Sequence, residues 1–326
     1  VTVRRLPFAV APVVLAAVLV AVLLGVGERD PKPRLLSHAA VAPGRSAPRA
    51  DGTVFGTDES PQQVAREAVE NSTGPDGTVL PDLHPIPAKA FRAPVARYRE
   101  YAVVQARAMD AAATSLRSAV ARGDRTAART AFGTTFDHWL LAGAAYGALG
   151  SLDATITGSL DALEAGLWSR RPVGSLRAPA GALAGAGRRL PAAVRRAELT
   201  PLDFATRAHE ILEDVQRDRL GDRLGVRATA DSLAATRAVI GDLEGLLRAR
   251  GDVLAQVQSG LGQLSSTLAA IRRRHAGWPP PQRLTRAEHE RLTGRLGATL
   301  EALAGVPGDL ETTYPPAIPK LAGGGR

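Results

Sequence analysis

Residues 94–122, PVARYREYAVVQARAMDAAATSLRSAVAR, decide the fold. Tyr98, Tyr101, Met109, Ala112, Leu116 and Val120 fall on one face of a helix of 3.6 residues per turn and do not alternate as a strand would. Pro94 stands in the first turn, where a missing N–H costs nothing. Arg122-Gly123-Asp124 then breaks the pattern, and we read it as a turn followed by a helix N-cap rather than as an adhesion signal.

The same period continues outward. Ala128, Phe132, Phe136, Trp139, Gly143 and Tyr146 mark a second helix, and Ile156, Leu160, Leu163 and Leu167 a third that begins near Leu152. A weaker fourth covers 172–199, with a kink expected at Pro191. Thr200-Pro201-Leu202-Asp203 supplies a cap, a proline at N1 and an acceptor at N3 for the fifth. A sixth is expected over 229–250 and a seventh over 252–274. The last opens on a capping box formed by Thr285 and Glu288. No stretch alternates with period two between turn dipeptides. The expected fold is therefore all-α, with about eight antiparallel helices forming a pair of four-helix bundles.

Residues 1–27 differ from all this. Arg4 and Arg5 precede an uncharged run over 6–27, long enough to cross a hydrocarbon core as one helix. The two cations hold the N-terminus in the cytoplasm, so the expected arrangement is a single-pass membrane anchor with the remainder extracytoplasmic. Cleavage of that segment as a signal peptide would leave a secreted product. Residues 28–90 are rich in Pro and Gly and read as a tether, 91–311 as the helical domain, and 312–326 as a disordered tail.

Composition narrows function. The 326 residues include no cysteine, which excludes disulfides, thiolate zinc sites and iron–sulfur clusters. The net charge of +9 comes almost wholly from arginine, with lysine only at 32, 89 and 320. These arginines are interleaved with Asp and Glu along every helix, the pattern of a solvated face, so a nucleic-acid partner is not expected. No glycine loop of the phosphate-binding kind follows a strand. His209-Glu210 lacks the second His of a zinc-protease motif and reads as a charged helix face. Glu288-His289-Glu290 is likewise expected at the surface. Asp161 and Glu164, at i and i+3, share one helix face and offer two hard oxygen donors suited to ferric iron, calcium or magnesium. Two donors alone make no tight site, and taken by themselves both residues are expected to face solvent.

GAAYGALGSLD (143–153), LEAGLW (163–168), LTPLDFATRAHEILEDVQRDRL (199–220) and ADSLAATRAVIGDLEGLLR (230–248) together resemble the imelysin-like family of EfeO and EfeM, over roughly 94–311. The resemblance implies a two-bundle helical domain on the outer side of a membrane. It also implies a part in an iron-uptake system with a membrane permease and a peroxidase-like partner. No nucleophile and no complete metal site can be read, so no enzymatic activity is expected. Iron would be held at a Gly-x-His-x-x-Glu motif. Aligned on Gly166-Leu167-Trp168, Glu164 is kept, Asp161 stands in place of the His and Ser159 in place of the Gly. Two further ligand positions fall on Leu140 and near Thr229. The metal set is thus reduced to Asp161 and Glu164. Two roles follow: iron handling with weakened binding, or a non-metal-binding paralogue acting as an envelope-tethered scaffold or interaction subunit.

Overall fold

A computed structural model describes residues 84–312. The expected anchor at 1–27, nearly all of the tether and the tail from 313 lie outside the described residues. Within them the chain is all helical, and no strand occurs. We number the helices α1 (Arg92–Arg122), α2 (Arg125–Leu141), α3 (Ser151–Leu167), α4 (Arg177–Arg196), α5 (Pro201–Asp214), α6 (Gly225–Leu247), α7 (Val253–Arg274) and α8 (Arg286–Ala304). No helix among the described residues is long and apolar enough to cross a membrane.

The termini follow from local chemistry. Gly123 takes φ 75°, a left-handed conformation that suits glycine, and Asp124 Oδ1 accepts from Ala127 N at 2.9 Å. The expected turn and cap are therefore present. Both capping boxes also form, at Thr200/Asp203 and Thr285/Glu288. Three boundaries differ from expectation. The second helix stops at Leu141 and gives way to a tighter 3-10 segment, Gly143–Ala148. The fourth begins at Arg177 after a 3-10 turn, Val173–Leu176, and continues through Pro191 to Arg196. The sixth begins at Gly225, earlier than expected.

α1 packs on α2 and α4, and α3 closes against α4 and α2. α5 packs on α6, α6 on α7, α7 on α8, and α8 returns to α5. α6 also lies along α2 and α1, which joins the two sets of four. Tyr98, Met109, Leu116, Phe132, Ile156, Leu163 and Phe204 are fully buried in one continuous core. The many alanines serve close approach: Ala106 and Ala113 of α1 and Ala180 and Ala184 of α4 have no exposed surface. A Cβ on Gly187 would stand 3.2 Å from the Asp110 Cα. Tyr98 donates its hydroxyl to the Ala142 carbonyl at 2.9 Å, pinning the start of the 3-10 segment to α1. Ile86 N donates to Glu311 O at 2.8 Å, so the chain enters and leaves the described fold side by side.

Glu288 corrects the sequence reading. It is 3% exposed, not a surface residue. Its Oε2 accepts from Thr285 N at 2.9 Å and Thr285 Oγ1 at 3.0 Å, and lies 3.2 Å from His275 Nε2 at the end of α7. The Thr285 N–H is the main reason its carboxyl is held down at about 2. Thr285→Ala is expected to lower stability by about 1–2 kcal/mol, the usual cost of a lost N-cap. A depressed carboxyl stabilises above its unfolded value of about 4.3 and ceases to do so as pH falls toward the folded one. The gap in urea midpoint between wild type and Glu288→Ala should thus be full at pH 7 and close between about pH 4 and 2.

Candidate functional site

Asp161 and Glu164 lie on the flank of α3, whose opposite face buries Ile156, Leu160, Leu163 and Leu167. Asp161 is exposed and Glu164 half-buried, so the expected solvent-facing pair is only half solvent-facing. What stands against them comes from the end of α5. There the helix widens into a π-turn, Val215–Arg219, closed by Leu220 N donating to Val215 O at 2.8 Å. Arg219 on that turn donates through Nη1 to Asp161 Oδ1 at 2.7 Å. The same nitrogen is 3.6 Å from Asp222, and the guanidinium stands 5.8 Å from the centre of the Phe136 ring.

Three carboxylates thus surround one guanidinium. Burial raises the Glu164 carboxyl, the Asp222 charge adds to that, and Arg219 opposes both. Asp222 is raised for the same first reason, with Arg219 again opposing. Burial alone would lower Arg219, but Asp161, Asp222 and Glu164 outweigh it and the group is raised. Glu164 Oε1 is buried without a hydrogen-bond partner.

Beside this cluster, α2, α3, α5, α6 and the π-turn enclose a cavity of about 230 Å³. Its wall includes Phe136, Leu140, Asp153, Arg207, Asp214 and Arg219, but neither Asp161 nor Glu164. Its charges are already answered. Arg207 reaches Glu210 at 3.1 Å and Asp214 at 3.5 Å, while Arg217 bonds Asp214 and Asp218. Burial raises Asp153, and the Thr157 hydroxyl, 3.3 Å away, partly offsets it.

The other positions implied by the resemblance offer no ligand. Leu140 is an apolar wall residue, and Ser159 is buried. Thr229 is fully buried and donates to Gly225 O of its own helix at 2.8 Å. Among the described residues no group of three or more His, Asp or Glu converges as a metal site would. A second cation placed about 4 Å from the Arg219 charge would meet roughly 4 kcal/mol of repulsion per unit charge at an effective dielectric near 20. As arranged, the carboxylates hold the Arg219 guanidinium. His209, in the protease-like fragment, pairs with Glu213 at 3.3 Å along the helix, as a charged face does.

Sequence reasoning missed one cluster altogether. Arg227 on α6 donates to Asp137 on α2, and Asp231, one turn further along α6, adds a second carboxyl whose charge opposes that of Asp137. Burial and then the Asp137 charge push Asp231 up to about 8. Burial, with Asp231 beside it, pushes Tyr101 up to about 12. The only hint in the sequence was Asp231 within the ADSL segment, and nothing there announced Asp137. In comparisons with known proteins, no family model matches the chain and no curated protein does.

Proposed function

We propose that this chain is an imelysin-like subunit, akin to EfeO and EfeM, of an extracytoplasmic iron-uptake system. In this reading it works as a tethered scaffold or interaction subunit and does not carry the metal. Support for the lineage comes from the quoted segments at 143–168, 199–220 and 230–248, and from an all-helical fold in two sets of four, the arrangement a pair of imelysin-like bundles calls for. The partners in this reading are the membrane, through residues 1–27, and a permease and peroxidase-like protein of the same system. The observation that carries the scaffold role is Arg219: its 2.7 Å bond to Asp161 places an internal cation where the lineage places the metal.

One observation favours weak iron binding instead. The unpartnered Glu164 Oε1, in a cluster holding more acid than base, leaves an oxygen that a metal ion would satisfy. Titration with ferric citrate and with ferrous iron separates the two. On the scaffold reading wild type binds no more than Asp161→Ala/Glu164→Ala, whereas Arg219→Met gains saturable binding that depends on both carboxylates. Micromolar binding by wild type, abolished in the double variant, would sink the scaffold reading and support iron handling.

A further inference from the structure

Part of the arginine that looks dispersed along the sequence is brought by the fold to one end of the molecule. The corner loops lie side by side and form a single surface. Arg125 donates to the carbonyls of Leu167 at 2.7 Å and Ser169 at 2.9 Å, joining the α1–α2 corner to the α3–α4 loop. Arg177 Nη2 reaches Ala121 O at 3.3 Å and draws in the start of α4. The Arg223 guanidinium stands 5.8 Å from the centre of the Trp168 ring, adding the α5–α6 loop. Gln282 donates to Gly221 O at 3.2 Å, adding the α7–α8 turn.

The charge on this surface has one sign over two of its loops. Residues 168–177 contain three arginines and no acid, and residues 272–286 five arginines and no acid. Arg170, Arg171, Arg273 and Arg283 are exposed and form no ion pair among the described residues. At the opposite end the charge is mixed: residues 195–203 carry two arginines and two acids, residues 248–252 two arginines and one acid, and residues 304–312 two acids. Unbalanced positive charge is thus concentrated at the first end. The chain's entry point lies at that opposite end, where Arg250 holds His84 O at 2.5 Å and Ile86 meets Glu311.

Tryptophan follows the arginine. Trp139 is buried in the core, but Trp168 and Trp278 are half-buried at the basic end, Trp168 under Arg129 and Arg223 and Trp278 under Arg272. Guanidinium groups spread over several loops, with indoles among them, suit a flat array of phosphates with an apolar layer beneath. They suit a single acidic strand less well, because the unpaired arginines stand on separate loops and line none of the described cavities. We infer that this end is a second membrane contact, docking on a bilayer surface through anionic phospholipid headgroups. It is separate from the expected anchor and independent of any role in iron.

The chain has no cysteine, so one introduced thiol takes an environment-sensitive dye cleanly. Label Ser175→Cys at the basic end, or Leu202→Cys at the other, in the full chain reconstituted into vesicles. The vesicles are phosphatidylcholine alone or phosphatidylcholine with phosphatidylglycerol. The Ser175→Cys probe is expected to report a less polar setting only with phosphatidylglycerol, and to lose that response as salt rises. Combining Arg170→Gln, Arg171→Gln, Arg273→Gln and Arg283→Gln should weaken the response about five-fold per arginine. The four corresponding changes to Lys should retain most of it, which separates lost charge from lost fold. Equal signals in both lipids, equal signals from both probes, or no effect of the four changes to Gln would overturn the inference. So would an equal response to soluble polyglutamate at matched charge, which would point to an acidic protein partner instead.

Discussion

Arg227→Ala is expected to lower the stability of the helical domain by about 2 kcal/mol, below the range for a fully buried ion pair because both partners are half-buried. For a domain of this size that is a fall of roughly 4–8 °C in Tm. Among the described residues Arg227 is the one cation bonded to Asp137, and the Asp231 carboxyl opposes the Asp137 charge in the same cluster. Asp137 Oδ1 and Asp231 Oδ2 are buried without partners. The fold has made room for the guanidinium: a Cβ on Gly133 would come within 2.7 Å of Arg227 Nη1. Without it, two carboxyl groups face each other across the α2–α6 contact with one proton between them.

The same cluster fixes a pH dependence. A carboxyl raised to about 8 from an unfolded value near 3.9 leaves stability intact below about pH 4 and erodes it as pH climbs through 8. The slope from one proton is at most about 1.4 kcal/mol per pH unit. Asp231→Asn keeps a donor toward Asp137 at every pH, so the variant should be flatter than wild type over that window and should relieve part of the Arg227→Ala loss. Urea denaturation at pH 5 and pH 8 checks both. A wild-type slope that survives in Asp231→Asn, or an Arg227→Ala loss below about 1 kcal/mol at pH 8, would contradict the assignment.

Gly225→Ala is expected to cost about 3 kcal/mol, the upper part of the range for overpacking. A Cβ there would lie 2.4 Å from Leu220 O and 2.6 Å from Arg219 O. Both are backbone atoms of the segment that closes the π-turn, so relief requires the turn itself to move. Gly166 is the contrast. An added Cβ would be 2.2 Å from Leu176 Cδ2, but a leucine methyl can rotate away, and Gly166→Ala should cost less. Amide exchange at Leu220, whose N–H closes the π-turn, should quicken in Gly225→Ala. An unchanged urea midpoint together with unchanged exchange would rule this account out.

How far the sequence could be read depended on how local each determinant is. The capping boxes at Thr200 and Thr285 and the turn at Gly123-Asp124 are short-range hydrogen-bond patterns, and each was legible before any fold was known. The sixth helix starts at Gly225, before the expected 229, and a glycine there allows close approach to the preceding carbonyls. The spacing of Asp161 and Glu164 correctly put both on one flank of α3. Arg219, 58 residues further on, could be placed there only by the packing of α5 and its π-turn. The basic end was hidden for a geometric reason. Antiparallel helices send alternate loops to the same end, so the two acid-free stretches 168–177 and 272–286, about a hundred residues apart, become neighbours only through the topology. Glu288 was read as surface because its neighbours are charged, but the capping geometry turns its carboxylate inward to Thr285 and His275.

The hydrogen bond between Ile86 and Glu311 makes the helical domain a portable unit. Its two openings meet, so a host sequence that carries it need not be stretched or bent to accommodate it. Segments outside those openings can lengthen, shorten or be exchanged between related chains while the helices keep their packing. Selection on the reach of the flanking segments is thereby uncoupled from selection on the core, and the eight helices can be inherited as a single piece whatever they are joined to.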